Sequence, residues 1–173
     1  AEDKIMKLLW APWRGSYVEN LGKECSCFLC EAGNSEPSIE NLVLVKSKKT
    51  FVIMNKYPYN SGHLMVAPFL HTNNLEDLDE ETVQDIFYMT KISVKALTEL
   101  LKPDGFNIGY NLGRSAGAGL ETHIHQHIVP RWNGDTNFMP TIFGTKVLSQ
   151  SLEDLYIRLS PIFHKLLDKS MVS

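Results

Sequence analysis

Apolar and polar positions change period along this chain, and each change marks an element. Residues 42–45 and 51–54 are short, β-rich apolar runs flanking the polar stretch Lys46-Ser47-Lys48-Lys49, the pattern of two strands and a hairpin turn. The turn-forming sequence Tyr57-Pro58-Tyr59-Asn60-Ser61-Gly62 precedes a third apolar run at 63–67, which ends before Pro68. The spacing then becomes helical. Val83, Ile86, Phe87, Thr90, Val94, Leu97 and Leu101 recur at steps of three and four, one stripe of an amphipathic helix. Asp79 can cap its start, and Pro103-Asp104-Gly105 closes it. Residues 106–110 read as a fourth strand and 123–129 as a fifth. Ser151 to Asp154 has the form of a helix start, and Pro161 is expected to interrupt the helix that follows. Residues 31–40, carrying Gly, Asn, Ser and Pro, read as a loop.

This order gives an α+β fold: an antiparallel sheet of about five strands, one long helix on one of its faces and a C-terminal helix. The expected organisation is a single domain over residues 1–173. Within it, 1–24 form an N-terminal arm anchored by Trp10 and Trp13, and 149–168 a C-terminal helical segment. Composition narrows the function. With 43% hydrophobic and 21% charged residues the chain is ordinary for a globular protein, and its net charge of -3 gives no general attraction to nucleic acid or anionic membrane. No apolar run reaches the ~18 residues of a membrane span and no signal-peptide pattern is evident, so the expected compartment is the cytoplasm.

The chemistry is concentrated in the fifth strand. His123, His125 and His127 alternate with Ile124, Gln126 and Ile128, and strand side chains alternate between faces. Three imidazoles therefore share one face. Each ring needs a donor and an acceptor partner, which makes such a row a poor core filler. With an ordinary pKa near 6.5, neighbouring imidazoles can pair a neutral nucleophile with a protonated neighbour, as phosphoryl transfer requires. The glycine-rich stretch at 113–119, just upstream, can bring backbone N–H groups close to a phosphate. A metal site is the rival use of the row. Cys27-Phe28-Leu29-Cys30 has the spacing of half a zinc site, and Cys25 stands two residues before it. Three such closely spaced cysteines suit a reduced compartment better than a disulfide framework.

The run His123-Ile-His-Gln-His-Ile-Val129 resembles the signature of the histidine triad superfamily, with Gln126 at a position that is usually apolar. Gly62-His63-Leu-Met-Val-Ala-Pro68, with His71 three residues on, is similar to a second segment of that family. The resemblance runs from about Cys27 to Pro140. It implies a nucleotide hydrolase or transferase, typically a homodimer, that forms a covalent nucleotidyl-histidine. On that basis His125 is the nucleophile, with His127 and His63 assisting at the phosphate. Asn55 would bind ribose, Asn111, Ser115 and Gly117 would meet phosphate oxygens, and Trp132 would help define the pocket.

Three further segments are similar to the bacterial branch that phosphorolyses diadenosine tetraphosphate: Leu9-Trp-Ala-Pro-Trp-Arg14, Asn55-Lys-Tyr-Pro-Tyr-Asn60 and Val129-Pro-Arg-Trp-Asn-Gly-Asp-Thr-Asn-Phe138. The hydrolase branch usually has a glutamine four residues before the first triad histidine; here that residue is Gly119. The resemblance therefore favours inorganic phosphate as acceptor, with Arg14 and Arg114 as candidate anion partners. Hydrolysis of the same or of AMP-phosphoramidate substrates is the alternative, and a zinc-stabilised nucleotide-binding protein without activity is a third reading. By the same resemblance Cys27, Cys30, His71 and His123 would hold a structural zinc, Cys25 would be spare, and a divalent cation would accompany the adenine nucleotide.

Overall fold

The computed structural model describes residues 27–136 and 150–170. The expected N-terminal arm, including Arg14, Trp10 and Cys25, lies outside them. The described elements belong to one compact unit, Ser26–Asn133 with Leu148–Ser173. In chain order they are α1 (Phe28–Asn34), β1 (Val43–Lys46), β2 (Thr50–Met54), β3 (Leu64–Pro68), α2 (Glu80–Leu101), β4 (Gly105–Tyr110), β5 (Gln126–Arg131) and α3 (Leu152–Ser170). The five strands form one antiparallel sheet in the order β1-β2-β3-β5-β4. The α+β reading of the sequence holds. No helix among the described residues is long and apolar enough to cross a membrane.

Strand alternation divides the sheet into two differently covered faces. Leu44, Val52, Met54, Leu64, Val66 and Ile128 pack with Met89, Ala96 and Leu97 of α2 and with Leu155, Leu159 and Phe163 of α3. The other face carries Val43, Phe51, Ile53, Met65 and Ala67 against Leu29 and Ala32 of α1. Met65 pairs with His127 across β3 and β5, so His127 projects on the α1 face while Gln126 and Ile128 project towards α2. Asp79 caps α2 by accepting a hydrogen bond from the Thr82 N–H at 2.7 Å, and Lys102 ends the helix in the left-handed region at φ 47°.

Three expectations are corrected. The stretch 31–40 is not all loop, because Glu31–Asn34 complete α1. Its Gly33 lies where an added Cβ would stand 3.0 Å from the Phe51 ring, so a residue that signals a turn in sequence serves close packing here. Pro161 does not interrupt the last helix, which runs through it. A proline inside a helix costs about 3 kcal/mol. The burial of Leu155, Leu159 and Phe163, each no more than 1% exposed, offsets that cost at roughly 1.5–3 kcal/mol apiece. Finally, β5 begins at Gln126, so of the three histidines only His127 stands in the strand. His123 and His125 lie in the segment leading into it, which lets His123 turn away to different partners.

Candidate functional site

His63, at the end of the Tyr57–Gly62 turn, and His127, on β5, are brought together by the pairing of β3 with β5. Their hydrogen bonds fix where the protons sit. The Tyr59 N–H donates to His63 Nδ1 at 3.1 Å, so that nitrogen must carry a lone pair. Neutral His63 then carries its proton on Nε2 and donates it to His127 Nδ1 at 2.9 Å. His127 in turn keeps its own proton on Nε2. His125 has the opposite arrangement: its Nδ1–H donates to the His123 carbonyl oxygen at 2.8 Å, leaving Nε2 unprotonated. The rings of His125 and His127 meet edge to face with centroids 4.8 Å apart. One imidazole thus offers a nucleophilic lone pair beside another that offers an N–H.

Electrostatics reinforce this order. Burial, followed by the neighbouring His127 and His125, pushes His63 down to about 3. Burial also lowers His125, which favours its neutral ring. Asn55 lies beside His63, its Nδ2 3.3 Å from His63 Nδ1, while its Oδ1 accepts from the Tyr57 N–H at 2.9 Å. Asn111 directly follows Tyr110, whose register partner is Gln126, the residue after His125. Ser115 and Gly117 lie on and just after the short turn Arg114–Ala116, with Ser115 exposed. Trp132 is different, because β5 carries the chain roughly 13 Å beyond His127 before reaching it.

A second cluster joins distant parts of the chain. Cys27 caps α1 and Cys30 lies in its first turn, His71 follows β3, and His123 precedes β5. Cys27 Sγ is 3.3 Å from His123 Nδ1, and Cys30 Sγ is 3.1 Å from His71 Nδ1 and 3.4 Å from His123 Nδ1. All four ligand atoms lie within 4.8 Å of one another. A tetrahedral zinc with Zn–S near 2.3 Å and Zn–N near 2.05 Å separates neighbouring S and N ligands by about 3.5 Å, so these residues fit such an ion. His123 donates its Nε2–H to the Pro68 carbonyl oxygen at 2.8 Å, which turns its Nδ1 lone pair towards the two sulfurs. Burial and the adjacent Cys27 raise the Cys30 thiol, a proton that a cation would displace.

Other participants were not singled out in sequence. Tyr59 contributes both a backbone N–H and a ring against the His63–His127 pair. On the other face of β5, Thr90 donates to Gln126 Oε1 and Gln126 Nε2 donates to the Tyr110 hydroxyl. The signal for that network was present, because Gln126 is an amide on the core-facing side of a strand and needs partners.

An open antiparallel sheet that gathers several imidazoles at the approach to β5 defines a class of protein. The chain belongs to the HIT domain family, whose model matches residues 36–134. It is 36% identical over 156 residues to the AP-4-A phosphorylase of Mycobacterium tuberculosis strain H37Rv, covering 86% of this chain and 80% of that one. Among solved structures, a Zn-bound histidine triad family protein from Mycobacterium smegmatis superposes with a TM-score of 0.65 at 28% identity, covering 83% of this chain and 97% of the other. A hypothetical histidine triad nucleotide-binding protein from Sulfolobus tokodaii gives 0.64 at 27% identity, covering 81% and 93%.

Proposed function

We propose that this protein is a nucleotidyl-transferring enzyme acting on diadenosine tetraphosphate-type substrates, with inorganic phosphate as acceptor. The opposed protonation of His125 and His127 is the observation that carries this reading. His125 Nε2 attacks the α-phosphorus, forming a P–N bond as the bond to the bridging oxygen breaks. His127 Nε2–H lies on the neighbouring ring, suited to the developing charge on phosphate and to protonating the departing nucleotide. Phosphate then attacks the same phosphorus, the P–N bond breaks and ADP leaves. Asn55 is assigned to the ribose, and Asn111, Ser115 and Gly117 to phosphate oxygens, with Trp132 at the pocket's margin.

The likeness to the mycobacterial phosphorylase and the glycine at position 119 support phosphate over water. Cys27, Cys30, His71 and His123 would hold a zinc ion that orders the approach to β5; four protein ligands leave it no open position for chemistry. A homodimer is part of the proposal, since β4 is an outer strand with Ile108 45% exposed.

Diadenosine tetraphosphate with phosphate should yield ADP and ATP, and omitting phosphate should nearly stop turnover. AMP and ATP at an unchanged rate without phosphate would make the enzyme a hydrolase. His125→Ala should lose at least about 10³-fold in kcat while retaining nucleotide binding, and intact-protein mass spectrometry should show an adenylyl adduct in the wild type alone. A binding protein without activity would show neither turnover nor adduct.

A further inference from the structure

The ring of Tyr59 lies on the histidine pair. Its centroid is 4.5 Å from that of His63 at 44° and 5.8 Å from that of His127 at 27°. The hydrogen bond between those two histidines spans 2.9 Å, and both rings that form it meet the same phenol. Tyr59 itself is 42% exposed, whereas His63, against which its ring rests, is 1% exposed. We propose that Tyr59 is a positioning residue whose ring covers the His63–His127 hydrogen bond, keeps water from it, and so holds the proton of His127 on Nε2.

The proton order depends on His63 staying neutral. A proton entering His63 Nδ1 would confront the Tyr59 N–H at 3.1 Å and the Asn55 amide nitrogen at 3.3 Å. Both would have to withdraw, and the first belongs to Tyr59 itself, whose ring rests against His63. Across the bond, His127 and His125 are the titratable groups whose charge bears on His63, and either as a cation opposes a proton there. An aromatic face attracts cations and acts in the other sense. Desolvation prevails, because it leads the causes that bring His63 down to about 3. Removing the ring lets water reach the pair, which favours charged His63 and releases the constraint on His127. The effect on rate rests on the function proposed above; the protonation order does not.

Histidine-labelled, metal-replete protein followed by long-range proton–nitrogen NMR tests this without substrate. In the wild type and in Tyr59→Phe, His63 should remain the Nε2–H tautomer at about pH 5. In Tyr59→Ala, and in Tyr59→Gln as a second variant that retains bulk but admits water, His63 should titrate at least about one pH unit higher. With diadenosine tetraphosphate, the fall in kcat between about pH 8 and about pH 4 should be roughly twofold larger in those two variants than in the wild type, with KM changed less than about threefold. A rise in the titration of His63 in a chain that turns over no dinucleotide would support the cover and reject the functional reading alone. Superimposable titrations in all four proteins would overturn the proposal, as would Tyr59→Phe behaving like Tyr59→Ala.

Discussion

A buried histidine held neutral makes stability depend on pH in a defined sense. His63 is 1% exposed, and burial lowers it to about 3, against an ordinary value near 6.5 in the unfolded chain. Above about 6.5 both states are neutral and the residue contributes nothing to the pH dependence. Below it the unfolded chain takes up a proton that the folded chain refuses, so stability falls steadily as pH drops from about 6.5 towards about 3. By pH 5 the share of His63 alone should be about 2 kcal/mol. Urea midpoints for the wild type and His63→Gln at about pH 7.5 and about pH 5 isolate it, because the variant lacks that share. An equal loss in both proteins would mean that His63 titrates normally when folded. Sequence alone could name these imidazoles but not place their protons. That depends on the Tyr59 N–H and the His123 carbonyl, whose positions are properties of the folded backbone.

Each element holds the site through a few exacting contacts. Gly62 joins the Tyr59 turn to His63 at φ +79°, and a Cβ there would stand 2.6 Å from Leu101 Cδ1 and 3.0 Å from Leu97 Cδ2 of α2. Gly62→Ala should therefore cost about 2–4 kcal/mol, combining overpacking with left-handed strain, and should displace His63 enough to lower kcat. Gly105→Ala, with open space around its Cβ position, should change stability by less than about 0.5 kcal/mol in the same denaturation assay. A similar cost for both would show that the turn can yield. The strands and α2 were legible in sequence because their apolar periods run over whole elements, with Asp79 and Pro103 marking the ends of α2. The end of α1 was not, since Gly33 and Asn34 signal a turn and only the rings of Phe51 and Phe69 explain the glycine. Nor was the continuity of α3, because the burial that offsets Pro161 comes from partners far away in the chain.

At the scale of the whole molecule the four metal-ligand candidates act as a clasp. Cys27 and Cys30 belong to the start of α1, His71 to the exit of β3 and His123 to the approach to β5, so a single ion would tie three separated segments together. The spacing of the cysteines showed only half of this site; the resemblance supplied the other two ligands, and the fold brings all four within 4.8 Å. Protein purified without chelator should carry about one zinc per chain by elemental analysis, and Cys27→Ser should lose it. Because the unfolded chain can still bind metal through its thiols, the net stabilisation is set at about 3–5 kcal/mol, less than for a peptide that folds only on zinc. For a chain of 173 residues that corresponds to a fall in Tm of roughly 10–15 °C on removal of the ion. The histidine pair and His125 are held by their own hydrogen bonds, so stripped protein kept well below its Tm should form the adenylyl adduct within about fivefold of the loaded rate. A chelator that leaves Tm unmoved would remove the clasp. One that abolishes adduct formation in still-folded protein would instead make the ion part of the chemistry, since His123 is both a candidate ligand and the residue whose carbonyl accepts from His125 Nδ1.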